Sequence, residues 1–294
     1  MRRILIGVLL CGLAGCACPG NPSPPSDSDA GSPDAGTTVD AGSADGGQPV
    51  GFIAVGDTGK ANAAQKKVAS AMANWCRSHR CDFVVLLGDN FYPSGVASTT
   101  DNLWKTAFED VYAQLDVPFY AVLGNHDYGA NGLGTDLPKA QNEIDYTQVS
   151  TKWKMPANHY RFTFGNIEIF VADTNLSMLG LDQTVRSDFQ RWTSTSTAKW
   201  KFAAGHHPYL SNGPHGNAGT YDNTPNLGST VKSFIENDVC GKVDFYLSGH
   251  DHSRQWLSTS CSGTELIVSG GGADATAVTA RNAAHFSQGK SGFL

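Results

Sequence analysis

Asp244-Phe245-Tyr246-Leu247-Ser248-Gly249-His250-Asp251-His252 runs from an apolar stretch of strand length, through a glycine, into two histidines one residue apart. The same arrangement occurs at four other places. Val50 to Val55 leads into Gly56-Asp57, and Phe83 to Leu87 into Gly88-Asp89-Asn90-Phe91-Tyr92. Val117 to Leu123 leads into Gly124-Asn125-His126-Asp127, and Phe202 to Ala204 into Gly205-His206-His207. Glycine after a strand is ordinary turn chemistry, and one such junction would carry little information. Here the junctions together bring Asp, Tyr, Asn and several His to strand ends.

Near-continuous apolar strands are those of a sheet covered on both faces. In α/β folds, ligands gather in the loops after the carboxyl ends of such strands. Glycine allows the chain to turn there and aim the next side chain at a common centre. A single Asp after a strand usually caps a helix, and a single His near a turn is usually structural. Capping does not call for His-x-His after one strand and Asn-His-Asp after another. Asp, His, Asn and tyrosinate suit Zn, Fe or Mn. Carboxylates mixed with imidazoles suit a two-metal phosphoryl-transfer site, with ions ~3.5–4 Å apart.

The ordered set Gly-Asp, Gly-Asp-Asn-Phe-Tyr, Gly-Asn-His-Asp, Gly-His-His-Pro and Gly-His-Asp-His resembles the calcineurin-like metallophosphoesterases. Within them it is most similar to the small purple acid phosphatases of the tartrate-resistant type. Asp57 is followed by Thr58-Gly59 where most of the superfamily has Asp-x-His, and Tyr92 stands where the purple enzymes place an iron-binding tyrosinate. The segment Ile144 to Phe164, with Tyr146, Trp153, Pro156 and Tyr160-Arg161-Phe162, reads like the same branch. The resemblance implies an αββα sandwich, two stacked mixed β-sheets flanked by helices, with a dinuclear site at the strand ends. It makes Asp57, Asp89, Tyr92 and His252 the ligands of Fe(III). Asp89 would bridge to a divalent Fe, Zn or Mn held by Asn125, His206 and His250. His126 and His215 would contact substrate and protonate the leaving alcohol. Asp127 and Asp251 would orient the ligand loops, while His207 would not be a ligand.

The implied activity is acid hydrolysis of phosphate monoesters by a metal-bound hydroxide, with a tyrosinate charge-transfer colour. The alternatives are a phosphodiesterase or nucleotidase on the same metals, or a non-catalytic metal-dependent surface binder. All seven ligand positions are filled, which argues against a retired site. In the family a Gly-Phe resembling Gly292-Phe293 opens a further strand and a closing hairpin, whereas this sequence ends at Leu294. A missing edge strand would expose unpaired backbone.

The N-terminus reads as an address. Arg2-Arg3, the apolar run Ile4 to Leu10 and Leu13-Ala14-Gly15-Cys16 resemble a bacterial lipoprotein signal, residues 1–15, with Cys16 the lipidated first residue. An ordinary cleaved secretory signal is the alternative, and export follows from both. Residues 16–48, rich in Pro, Ser, Asp, Ala and Gly, are expected to be a flexible tether to the cell envelope. Residues 49–294 form the catalytic domain, and about 245 residues suffice for one large core.

Within it, helices are expected over 61–79 (Ala64, Val68, Ala71, Met72 and Trp75 inward), 101–115, 182–195 and 228–237. A long polar loop covers 128–141. A hairpin turns at Gly165-Asn166, and 255–259 and 265–269 are the last clear strands. Cys76, Cys81, Cys240 and Cys261 form an even set, with local pairing, Cys76 to Cys81 and Cys240 to Cys261, the preferred reading. A zinc cluster is the alternative, without the usual Cys-x-x-Cys spacing. His79, His159 and His285 carry no ligand pattern. The net charge of −6 comes with no basic block, so nucleic acid is not an expected partner. The expected form is a monomer acting on a small phosphate ester.

Overall fold

The computed structural model describes residues 38–40 and 49–294. The signal sequence, Cys16 and most of the tether lie outside the described residues.

A parallel four-stranded sheet joins β2 (Phe52–Val55), β3 (Phe83–Leu87), β4 (Phe119–Val122) and β5 (Trp153–Lys154) in sequence order. The second sheet has eight strands: β1 (Thr38–Asp40), β6 (Tyr160–Phe164), β7 (Ile167–Val171), β8 (Trp200–Ala204), β9 (Phe245–Ser248), β10 (Arg254–Cys261), β11 (Thr264–Ser269) and β12 (Ala284–Gln288). Their spatial order is β1-β6-β7-β8-β9-β11-β10-β12. Only this sheet is mixed. The smaller one is wholly parallel, because each of its strands is reached by a crossover.

Alternation along each strand sorts the core into two layers. Ile167, Ile169 and Val171 face the small sheet, packing in one cluster with Ile53, Phe83 and Phe119. Phe170, Ala203 and Tyr246 face the other way, against Val185, Phe189 and Trp192 of helix α4 (Gln183–Thr195) and Val231 and Phe234 of α5 (Ser229–Phe234). Between the sheets, Tyr120 stacks on Phe162 at 3.8 Å and Phe83 meets Phe162 edge-on at 5.5 Å. Strands such as β3, β4 and β7 therefore read hydrophobic on both faces because both faces are covered.

Helix α1 (Ala63–Ser78) starts where expected, with Asn62 Oδ1 accepting from the Gln65 amide at 2.8 Å. Its inward stripe is Gln65, Val68, Ala69, Met72 and Ala73. Val68 and Met72 agree with the expectation; Ala71 is exposed and Trp75 is 48 % exposed. The stripe rotates because Gln65 is drawn inward to donate to the Ala107 carbonyl at 2.8 Å, while its Oε1 accepts from the Ala61 amide. Trp75 instead stacks on His79. The 101–115 segment forms a wide helical turn at Trp104–Glu109, and Trp104, Ala107 and Phe108 are buried as expected. Leu103 and Val111 are only partly buried.

Several elements were not anticipated, the two-residue strand β5 among them. The loop after Asp127 coils into short turns and then α2 (Gln141–Tyr146), whereas the sequence reads as loop through 141. Helix α3 (Thr174–Met178), capped by the Asp173 carboxylate, is too short to show a period. Thr38–Asp40, inside the stretch read as tether, pairs in parallel with β6. Ala284–Gln288 adds a strand beyond the two expected to be last, paired antiparallel with β10. The hairpin at Gly165-Asn166 forms as expected, in register Phe164 to Ile167.

Both disulfides join the cysteines paired locally by the sequence reading, Cys76 to Cys81 and Cys240 to Cys261. The second spans 21 residues and ties the end of the helical layer to the end of β10. Replacing Cys240 and Cys261 by Ser should lower stability by about 2–4 kcal/mol, the larger effect because it closes the longer loop. Denaturant unfolding of that variant beside Cys76→Ser/Cys81→Ser, with free thiols counted, measures it.

Candidate active site

The two sheets meet at the site. The Gly56 amide, after β2, donates to the Ser269 carbonyl at the end of β11 at 2.7 Å. His206, after β8, turns its ring so that Nδ1 lies 2.9 Å from the Leu87 carbonyl at the end of β3. A carbonyl only accepts, so Nδ1 carries the proton and Nε2 is the nitrogen free to bind a metal. Asn125 is oriented the same way. Its Nδ2 donates to Gly132 O at 2.8 Å, which leaves Oδ1 3.0 Å from His206 Nε2.

Seven side chains converge in two groups. In one, Tyr92 Oη lies 3.1 Å from Asp57 Oδ1, 3.0 Å from Asp89 Oδ2 and 3.3 Å from His252 Nε2. In the other, His206 Nε2 lies 3.0 Å from Asn125 Oδ1, 3.1 Å from His250 Nδ1 and 3.5 Å from Asp89 Oδ1. Asp89 turns one oxygen to each group. Asp57, Asp89 and His206 are buried, with ligand atoms mutually within 4.8 Å. Metal–donor bonds of about 2.0–2.2 Å, at right or tetrahedral angles, put neighbouring donors roughly 2.8–3.6 Å apart. The observed spacings fall in that range around two centres, so the donor set fits a pair of cations sharing Asp89.

The local backbone is strained at the donors. Asp57, Asp89 and His250 take φ of 58°, 52° and 68°. Non-glycine residues there cost about 1–3 kcal/mol each. The adjoining Gly249 has ordinary φ, so its role differs from the turn the sequence suggests. A Cβ on it would sit 2.6 Å from Asp57 Oδ2. Glycine is needed here for close approach, because the His250 amide, the next along, donates to that same oxygen at 2.9 Å.

Electrostatics agree with a cation-binding role. Burial, then the charges of Asp57 and Asp89, push the Tyr92 phenol well above its usual range. A cation among these donors reverses that balance, since it binds the phenolate. Burial and then the surrounding histidines hold His250 well below the usual imidazole value, leaving it neutral and able to ligate. Burial works against protonation of His252 too, but Asp57 outweighs it and the net shift is upward.

The remaining expected residues surround the cluster. His126 Nδ1 lies 2.7 Å from Pro93 O, which leaves Nε2 4.0 Å from Asp89 Oδ2 at the site mouth. The His215 ring lies 4.2 Å from that of His250. Asp127 does not reach the donors; its carboxylate accepts from the amides of Asn90, Phe91 and Gly124 at 2.8, 3.1 and 2.8 Å and so ties two ligand loops together. Asp251 accepts from the His215 and Gly216 amides. His207 packs its ring 4.7 Å from that of His250, but its Nδ1 lies 3.0 Å from Thr174 Oγ1. His159 pairs with Asp188 at 3.0 Å, far along the chain from any motif.

Three residues near the site carry no motif. Gly132 holds Asn125 through its carbonyl. Lys60 places Nζ 4.7 Å from the Tyr92 ring centre and 3.0 Å from Asp274. Asp222 meets His215. Lys60 lies three residues past Asp57, a proximity that could have flagged it; the other two had no signal.

Residues 51–254 match the family described as calcineurin-like phosphoesterase, a span that contains all seven donors. The chain belongs to that family, whose members are metal-dependent phosphoric ester hydrolases. It is 30 % identical to purple acid phosphatase 4 of Arabidopsis thaliana over 243 residues, covering 77 % of this chain and 69 % of the relative. It is 29 % identical to human tartrate-resistant acid phosphatase type 5, covering 75 % and 72 %. Among solved structures the fold matches a purple acid phosphatase from yellow lupin (TM-score 0.62, 17 % identity, 82 % of this chain and 48 % of that one). It also matches GAP50 of Plasmodium, described as the anchor in the inner membrane complex (TM-score 0.64, 21 % identity, 82 % and 78 %).

Proposed function

We propose that the protein is an acid phosphatase that hydrolyses small phosphate monoesters at an Fe(III)–M(II) centre, M being Fe, Zn or Mn. The observation that carries this is Tyr92 Oη within 3.0–3.3 Å of Asp57, Asp89 and His252. A phenolate among carboxylates selects a hard trivalent ion. Asp57, Asp89, Tyr92 and His252 would hold the ferric ion, and Asn125, His206, His250 and the second oxygen of Asp89 the divalent one. When bound, the pair supplies positive charge for the phosphoryl group and acidity for a water nucleophile.

The chain's own part is orientation and proton transfer. Two carboxylates and a phenolate offset about three of five positive charges, so an anionic ester is drawn in. His126 Nε2 and His215 face the site from its mouth and would donate the proton that the departing alcohol needs. Leu87 and Leu123, buried at the strand ends that precede the donor loops, would help keep water from behind bound ions.

Metal analysis and a visible spectrum of the purified protein test the reading. Iron with a charge-transfer band supports it; a colourless, iron-free protein after expression with iron supplied removes it. Tyr92→Phe should abolish the band while leaving the fold intact. A nitrophenyl monoester turned over much faster than the bis-ester separates a monoesterase from a phosphodiesterase or nucleotidase. We further propose export, anchoring through lipid on Cys16 and action as a monomer. Among the described residues no helix is long and apolar enough to cross a membrane.

A further inference from the structure

We propose that Asp222 is a positioning residue that sets the orientation of His215 for protonating the leaving group. The inference rests on the phosphomonoesterase reading above. His215 Nδ1 lies 2.8 Å from Asp222 Oδ1, and the Asp222 amide donates back to the His215 carbonyl at 2.9 Å. Two bonds thus join the residues, one through the ring and one through the backbone. A carboxylate accepts only, so the ring nitrogen facing it is the donor and Nε2 is the nitrogen left for substrate.

Each half of the pair is independently anchored. The His215 amide donates to Asp251 Oδ1 at 2.9 Å, and Asp251 stands between donors His250 and His252. The Asp222 turn is built on Tyr221, a fully buried ring whose hydroxyl donates to the Pro208 carbonyl. Asp222 itself takes φ of 53°, a left-handed conformation that aspartate reaches more readily than most non-glycine residues. Across the loop, Arg281 Nη1 donates to the carbonyls of Ser211 and Gly213, each at 2.9 Å, closing the segment from its other side. His215 is therefore seated in a fixed loop with its ring 4.2 Å from that of His250, and Asp222 is the side chain that chooses which ring edge faces the site. More than half of the Asp222 side chain is exposed. An ion pair so exposed adds little to stability, which leaves positioning as its role.

The test compares the metal-loaded full chain with Asp222→Gly, Asp222→Asn, His215→Asn and the His215→Asn/Asp222→Gly double variant. Glycine removes the carboxylate without strain at positive φ, and asparagine keeps an acceptor there. Substrates are an alkyl monoester, glycerol phosphate, whose alkoxide needs a proton to leave, and nitrophenyl phosphate, whose phenolate does not. Asp222→Gly should lower kcat for the alkyl ester about tenfold, with little change in KM and a smaller loss on the nitrophenyl ester. Asp222→Asn should recover most of that loss, and the double variant should be no slower than His215→Asn alone. Equal losses on both esters, or a further loss in the His215→Asn background, would overturn the proposal. If His215→Asn leaves the alkyl ester unaffected, the proton-donor role of His215 fails and the positioning role of Asp222 with it.

Discussion

Asp89→Asn should cost at least about 10³-fold in kcat and, on the proposed two-metal reading, reduce the bound metal toward none. The size follows from charge stabilisation worth several kcal/mol that a shared ligand supplies to both centres. Asp89 turns one oxygen to each group, Oδ2 lying 3.0 Å from Tyr92 Oη and Oδ1 3.5 Å from His206 Nε2. Asparagine can still accept the His126 amide, which donates to Oδ1 at 2.9 Å, so the loop should keep its course. It cannot offer two anionic oxygens. Elemental analysis of the purified variant beside its kcat measures both effects. Full metal content with unimpaired turnover would show that Asp89 does not bridge.

The second large effect concerns a residue with no side chain. A Cβ on Gly124 would lie 2.3 Å from both the amide and Oδ1 of Asp89. Neither neighbour can yield, because the amide belongs to a backbone already at positive φ and the carboxylate is buried. Gly124→Ala must therefore displace the shared carboxylate. A displacement of about 1 Å near the reacting centre costs on the order of 10²-fold in turnover. Gly180→Ala is the control. Its φ is +70°, yet nothing lies within 4 Å of the added Cβ, so backbone strain should lower stability and leave kcat alone. Comparison of kcat, metal content and unfolding midpoint for the two variants separates close approach from strain. Equal effects on turnover would argue that conformation, not proximity, makes Gly124 necessary.

The same pair shows how a motif can be legible while its cause is hidden. Gly-Asp and Gly-Asn recur at strand ends, and the natural reading is that glycine makes the turn. In the fold Gly88 does take a left-handed φ of 87°, but so do Asp57, Asp89 and His250 themselves, while Gly124 and Gly249 are needed for the space their missing Cβ leaves. Likewise the α1 stripe was read from apolar spacing alone, and it rotates because a buried Gln65 bonds to a helix distant in sequence. Short elements such as Thr174–Met178 and Thr38–Asp40 have no room for a period, so tertiary pairing alone defines them.

The sequence alone determined the strand-end motifs and where they fall, and their resemblance to a known family implied the candidate donor set and the two-layer α/β fold. Local cysteine pairing, the preferred reading, needed only short separations along the chain. Tertiary structure decided what depends on segments meeting: the two oxygens of Asp89 facing different groups, the imidazole edge that His206 presents once Leu87 O has taken the other, and the Asp222 carboxylate on His215. Chain order carries no record of which atom of a side chain faces its neighbour. That is set only when the two sheets close and every buried donor must find its acceptor.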